Sequence, residues 1–445
     1  MTVRNIKEAK SMIETKYGKI EGIHHGWYTE YLGVPYAKPP VGELRWKAPQ
    51  QMETYEGVYH AVQFPNKAVQ AEGSSPPWDK DFYDDPQYIP KSNEDCLYLN
   101  IYVPQGAKDC PVAFWIHGGA FLGGNASEKE FDGAEYCRRG VILVSVQYRL
   151  GLFGFLAHPW LTEEAGTSGN YGILDQIAAL KWVHENIAAF GGNPENITVF
   201  GQSAGAMSVQ TLISSPMTKN LIKRAIMQSG GSYGVGLHRD ITLKEQESFG
   251  MIFSEVLNVN SLTQMREKSA EEIFAAFGPF MQKAQPLARG LFLVPTIDGQ
   301  VLTKGYYELM DSGEIKDIPY MLGCTKNDIM TAPGRPVEES SLYRGSVAFS
   351  KKLEELGRNP AYVYCFTRDL PGDQQGAWHS AELWYTMGTL SRCWRPWTCG
   401  DYALATKILD YWSNFMKNGD PNAEGLPVWK SCCNDDTFVL KLDLA

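Results

Sequence analysis

Apolar residues in this chain collect into short, nearly unbroken runs separated by longer stretches of mixed character. Val112-Ala113-Phe114-Trp115-Ile116, Val141-Ile142-Leu143-Val144-Ser145-Val146 and Ile197-Thr198-Val199-Phe200 are too short for helices and do not alternate with polar residues. Such runs predict strands covered on both faces, as in a parallel sheet. Ala225 to Gln228, Tyr320 to Leu322 and Tyr362 to Phe366 add later strands. Between them, Ile177 to Asn186 places Ala178, Leu180, Trp182 and Val183 as a helix ending near Phe190-Gly191-Gly192, and Ala204 to Ile213 is helix-compatible. A strand-rich start followed by this alternation predicts an α/β fold, a mostly parallel central sheet with helices on both faces. No internal repeat, low-complexity tract or linker interrupts it, so one domain over 1–445 is expected. Glu245 to Lys283 is rich in helix formers and lies between core strands, which predicts a reduced helical cap inserted around 234–290 over the site.

Composition narrows the possibilities. A chain of 445 residues with 44% apolar content supports a sizeable core, and no apolar run approaches the roughly 20 residues of a membrane helix. The net charge of −10 is spread without a basic cluster, which argues against nucleic acid as a partner. Nine cysteines, an odd number, and a polar Met1 to Lys10 without an apolar signal core favour free thiols and a cytoplasmic address, and a monomer is expected. Cys432-Cys433 fits no zinc module, since no histidine follows His379, and reads as two ordinary thiols.

The chemistry begins at Gly201-Gln202-Ser203-Ala204-Gly205, directly after the run Ile197 to Phe200. It reads as a nucleophile elbow, in which a serine sits on a strained turn between strand and helix and small residues two before and two after let the two elements pass closely. The helix that follows points its unpaired N–H groups at the place where an oxyanion forms. Glycine-flanked serines also occur in ordinary turns, but the upstream strand Val112 to Ile116 runs into His117-Gly118-Gly119-Ala120-Phe121, a loop whose backbone amides can approach a substrate carbonyl unobstructed. With Ala204, the amides of Gly119 and Ala120 make a three-donor oxyanion hole. His117 is read as shaping this loop rather than as catalytic.

At this point the chain resembles the type-B carboxylesterases, the α/β-hydrolase group that includes bacterial para-nitrobenzyl esterases, liver carboxylesterases and cholinesterases. Phe190 to Phe200 leading into the elbow is similar to the family's serine signature, and Glu94-Asp95-Cys96-Leu97-Tyr98-Leu99-Asn100-Ile101 to its second signature. Further likenesses are Leu32 to Ala37 with Pro39-Pro40-Val41-Gly42 and Leu44-Arg45-Trp46, Gly169-Asn170-Tyr171-Gly172 with Leu174-Asp175-Gln176, and Asn418 to Asn422. The resemblance covers nearly the whole chain. It implies an α/β-hydrolase fold and ion pairs Arg45–Glu94 and Arg149–Asp175. It also implies a Ser229 hydroxyl near the triad acid and no bridge at Cys96, because no cysteine precedes it.

The remaining triad members follow the serine in the order acid, then histidine. Only His238 and His379 lie after Ser203. His379, soon after the run Tyr362 to Phe366, resembles the family's histidine loop, and His238 is read as a surface residue. Imidazole suits the task because its unperturbed pKa lets it take and return a proton near neutrality. For the acid, Asp328 falls where the family usually has glutamate, and its shorter side chain requires the two loops to sit closer. Glu338 and Glu339 stay open as alternatives. Asp328 precedes His379 by only 51 residues, which implies a trimmed cap and a more open gorge. Trp78, Trp384, Trp394 and Trp397 are candidates for its wall.

The expectation is a serine carboxylesterase that cleaves a small-molecule ester through an acyl-enzyme, with no cofactor and no metal. An amidase or thioesterase using the same triad, or a non-catalytic adhesion or scaffold member of the fold, are the alternatives. The latter is disfavoured because all triad candidates are present.

Overall fold

The computed structural model describes residues 9–73, 78–237, 239–329, 331–332 and 334–444. His238, read above as a surface histidine, lies outside them. Among the described residues one sheet runs through the molecule. Its strands are β1 (Ala9–Thr15), β2 (Gly18–His24), β3 (Tyr28–Pro35), β4 (Val58–His60), β5 (Tyr98–Pro104), β6 (Cys110–Ile116), β7 (Ile142–Val146), β8 (Gly192–Gln202), β9 (Arg224–Gln228), β10 (Tyr320–Thr325), β11 (Tyr362–Phe366) and β12 (Leu440–Leu442). The spatial order is β1-β2-β3-β5-β7-β6-β8-β9-β10-β11-β12, with β4 beside β2. From β7 to β12 every neighbouring pair is parallel, whereas β1, β2, β3, β5 and β7 pair antiparallel in that order.

All five residues of β7 are buried, as are Val112 to Ile116 of β6, because helices cover both faces of the parallel part. β8 is longer than its apolar run. The register against β6 jumps from Cys110↔Gly192 to Val112↔Ile197, and this irregularity takes up the four residues Asn193 to Asn196. The helix expected from Ile177 begins earlier, at Tyr171. Gly172 breaks the helical composition there because a Cβ would lie 2.6 Å from the Arg149 carbonyl oxygen and 2.7 Å from the Phe155 ring. β6 lies between β7 and β8, so the chain leaves it in both directions. The carboxyl ends at such a switch point are where open α/β sheets bind ligands.

Short helices Leu243–Val256, Leu262–Glu267, Ala270–Ala275 and Phe277–Ala284 fill the segment between β9 and β10. Two arginines brace it to the amino-terminal layer. Arg45 forms a bidentate pair with Glu94 (2.6 and 2.5 Å) and donates to the carbonyls of Arg266 (2.9 Å) and Lys268 (2.6 Å). Arg266 donates back to the Arg45 carbonyl (3.1 Å) and grips Glu164 with both terminal nitrogens. Arg149 and Asp175 form a second buried bidentate pair, at 2.8 and 2.7 Å. With its partners supplied, each guanidinium avoids the penalty of an unpaired buried charge.

Candidate active site

The carboxyl ends of β6, β8, β10 and β11 deliver the candidate residues. At the end of β8 the chain turns abruptly at Ser203, with φ 56° and ψ −123°, and enters the helix Ala204–Ser214. The Ser203 amide donates to the Gln228 carbonyl (2.8 Å), which helps hold this unfavourable conformation. The flanking glycines are required by backbone contacts. A Cβ on Gly201 would sit 2.5 Å from the Gly205 carbonyl carbon, and one on Gly205 only 2.0 Å from the Ile116 carbonyl oxygen.

The loop after β6 approaches the same point. A Cβ on Gly118 would lie 3.2 Å from the Ser203 Cβ, which places the two backbones side by side. Gly119 has φ 104°, and Ala120 and Phe121 follow with φ 56° and 61°, a costly arrangement for non-glycine residues. The turn is tied by Leu122 and Gly123 amides to the Gly119 carbonyl (2.9 and 3.0 Å). His117 props it from behind, its ring stacked on Tyr148 at 4.5 Å and Nδ1 at 2.9 Å from the Gly118 carbonyl. Burial pushes its pKa down to about 4, so it stays neutral and structural.

The loops after β10 and β11 carry Asp328 and His379, and they are clasped together. Asn327 donates to the Ala377 carbonyl (2.9 Å) and its Oδ1 accepts from the Ala377 amide (3.0 Å). His379 Nδ1 then lies 2.6 Å from Asp328 Oδ1. The other carboxylate oxygen accepts from Ser229 Oγ (2.7 Å), the Thr325 amide (3.0 Å) and Thr325 Oγ1 (3.1 Å). Burial alone would raise the Asp328 pKa, but the His379 charge and these donors bring it below the ordinary value. Burial pulls His379 down, and the Asp328 charge and hydrogen bond, aided by Glu382, reverse this and leave it raised. Glu338 and Glu339 stand elsewhere, in a short exposed turn facing Lys441 and Arg335.

Ser203, His379, Gly119 and Ala120 line one cavity of about 740 Å³. Ala204 is buried as the first residue of the elbow helix. Of the tryptophans, Trp78 lines the cavity, while Trp384 is wholly buried, stacked on Phe82 at 5.2 Å. Leu122 and Ala120 also border a small apolar recess formed with Met281, Leu291, Phe292 and Leu293.

Three nearby features escaped the sequence. Gln202 Nε2 lies 3.2 Å from His379 Nε2. Glu382 is fully buried, and burial followed by the Asp328 charge pushes its pKa up to about 7. Glu128 and Glu130 also line the cavity, and burial raises both, Glu130 far above the usual carboxylate range. A charged residue in an apolar stretch, as at Ala381-Glu382-Leu383, was the available signal for Glu382.

Comparison with known proteins places the chain among relatives. The model of the carboxylesterase family matches residues 9–338 and 334–445. The chain is 39% identical to the para-nitrobenzyl esterase of Bacillus subtilis (strain 168), over 97% of this chain and 94% of that protein. It is 30% identical to liver carboxylesterase 1 of Oryctolagus cuniculus, over 95% and 88%. Among solved structures, a thermophilic PNB esterase superposes with a TM-score of 0.86 at 30% identity, covering 98% of this chain and 96% of the other.

Proposed function

The chain belongs to the carboxylesterase family and is a serine carboxylesterase; from that premise we propose that Ser203 is its nucleophile, His379 its general base and acid, and Asp328 the carboxylate that orients His379. The observation that carries this reading is the 2.6 Å contact between His379 Nδ1 and Asp328 Oδ1 beside a strained serine in one cavity. Nδ1–H donates to the carboxylate, so Nε2 carries the lone pair that takes the Ser203 proton. Oγ bonds to the ester carbonyl carbon, and the carbonyl electron pair moves to oxygen. The amides of Gly119, Ala120 and Ala204 receive that oxyanion. Its collapse expels the alcohol, protonated by His379, and water repeats the sequence on the acyl-enzyme.

The helical segment 243–284 acts as a cap in this reading, supported by Met281 reaching the recess beside the oxyanion loop. A cytoplasmic address is supported by the nine cysteines, all free. The enzyme is read as a monomer without nucleic-acid partners, the latter supported by a net charge of −10 spread without a basic cluster. No helix among the described residues is long and apolar enough to cross a membrane.

A fluorophosphonate probe tests the assignment, because it forms a stable adduct only with an activated serine. Peptide mass spectrometry is expected to find the adduct on Ser203, and labelling of any other serine with Ser203 unmodified would overturn it. Parallel ester, thioester and amide substrates then rank the reactions the same site performs.

A further inference from the structure

The proton on His379 can be located from its surroundings. Asp328 accepts at Nδ1, 2.6 Å away, which puts the ring N–H there and leaves Nε2 as an acceptor. Gln202 presents its amide nitrogen to Nε2 at 3.2 Å, and an amide nitrogen can only donate. The two contacts agree with each other, since they describe a neutral imidazole with both nitrogens satisfied. Among the described residues, no hydrogen bond joins Ser203 Oγ to this ring. The Gln202 side chain is buried in the cavity wall, where competition from water is small.

We propose that Gln202 is a positioning residue that holds the Nε2 lone pair of His379 in the resting enzyme, so that the imidazole waits neutral and Ser203 must displace the amide before giving up its proton. The inference rests on His379 being the base. Once Nε2 takes a proton it becomes a donor, and an amide N–H facing it is repulsive. Gln202 therefore favours the neutral ring. It works against the two titratable groups that face the ring, Asp328 and Glu382, both of which favour the charged form.

The pH dependence of kcat/KM on a neutral ester reads this directly in Gln202→Met and Gln202→Glu. With the donor gone, the midpoint of the acid limb in Gln202→Met is expected to rise by about half to one pH unit. In Gln202→Glu it is expected to rise further, because a carboxylate at Nε2 attracts the imidazolium. A residue that merely fills space would lower the rate and leave the midpoint where it was. A midpoint that is unmoved or lowered in Gln202→Met overturns the proposal. The ring is also titrated by nuclear magnetic resonance in Ser203→Ala, with and without Gln202→Met. The same upward shift is expected there, and identical titrations overturn the proposal whatever the variants do to turnover. His379→Ala separates the two layers of argument: if it keeps its activity, the assignment of the base fails rather than the role of Gln202.

Discussion

The elbow with its glycine loop and the clasped acid–histidine loops meet in one cavity but are built differently. The first is backbone architecture: Ser203, Ala120 and Phe121 sit at positive φ, and Gly201 and Gly205 are required by carbonyl groups 2.0 to 2.7 Å from where a Cβ would stand. The second is side-chain architecture, a buried carboxylate satisfied by Ser229, Thr325 and His379, on loops pinned by Asn327. Backbone devices tolerate almost no substitution but need no charge. The side-chain device depends on charge and hydrogen bonding, and is sensitive to pH.

Breaking the chemistry shared by both regions has the largest expected effect. Ser203→Ala should lower kcat by roughly six powers of ten while leaving the circular dichroism spectrum unchanged. Loss of less than about tenfold in a folded variant would remove Ser203 from the mechanism. Next comes the side-chain region: Asp328→Asn keeps the shape but favours the wrong tautomer, for an expected loss of about four powers of ten. Glu338→Gln and Glu339→Gln should be close to wild type in the same assay, and the reverse pattern would move the acid to that turn.

The backbone region is tested by Gly205→Ala. Its Cβ meets the Ile116 carbonyl oxygen at 2.0 Å, so the elbow must shift, at a cost of about a hundredfold in kcat/KM and a lowered melting temperature. Gly278→Ala is the control, with nothing within 4 Å of its added Cβ, and should stabilise slightly if anything. Equal behaviour of the two variants would show that the close approach does not matter.

The smallest effect is the pH response. With the folded-state pKa of His379 raised above 6.5, the base becomes protonated as pH falls through that raised value. The acid limb of kcat/KM should therefore have its midpoint above 6.5. A midpoint at or below 6.5 would mean that burial and the Gln202 donor together outweigh the Asp328 charge.

The same contrast decides what was readable in the amino-acid sequence. Glycines at 201 and 205, and the run His117 to Phe121, are readable because each lies in a short contiguous motif, although the contacts that require Gly205 and Gly118 come from the neighbouring strand end. Strands of the parallel part were legible from their unbroken apolar runs, and Tyr362–Phe366 begins and ends where its run does. Asp328 was located by resemblance, since nothing adjacent to it spells out a partner 51 positions away. Gln202 and Glu382 were missed for a related reason: their meaning depends on a ring delivered from another strand. The early start of the helix at Tyr171 was hidden by Gly172, whose purpose is close packing against Phe155 and Arg149.

The Asn327 clasp makes Asp328 and His379 a single mechanical unit. Its two loops are joined by backbone and side-chain bonds as well as by the Asp328–His379 contact, so they travel together when the protein breathes. The joint between the imidazole and the serine, which ride on different strands, is spanned by the Gln202–His379 contact at 3.2 Å, longer than the 2.6 Å between His379 and Asp328. A fluctuation at the substrate end of the cavity then changes how far the proton must travel and leaves intact the carboxylate that steadies the ring.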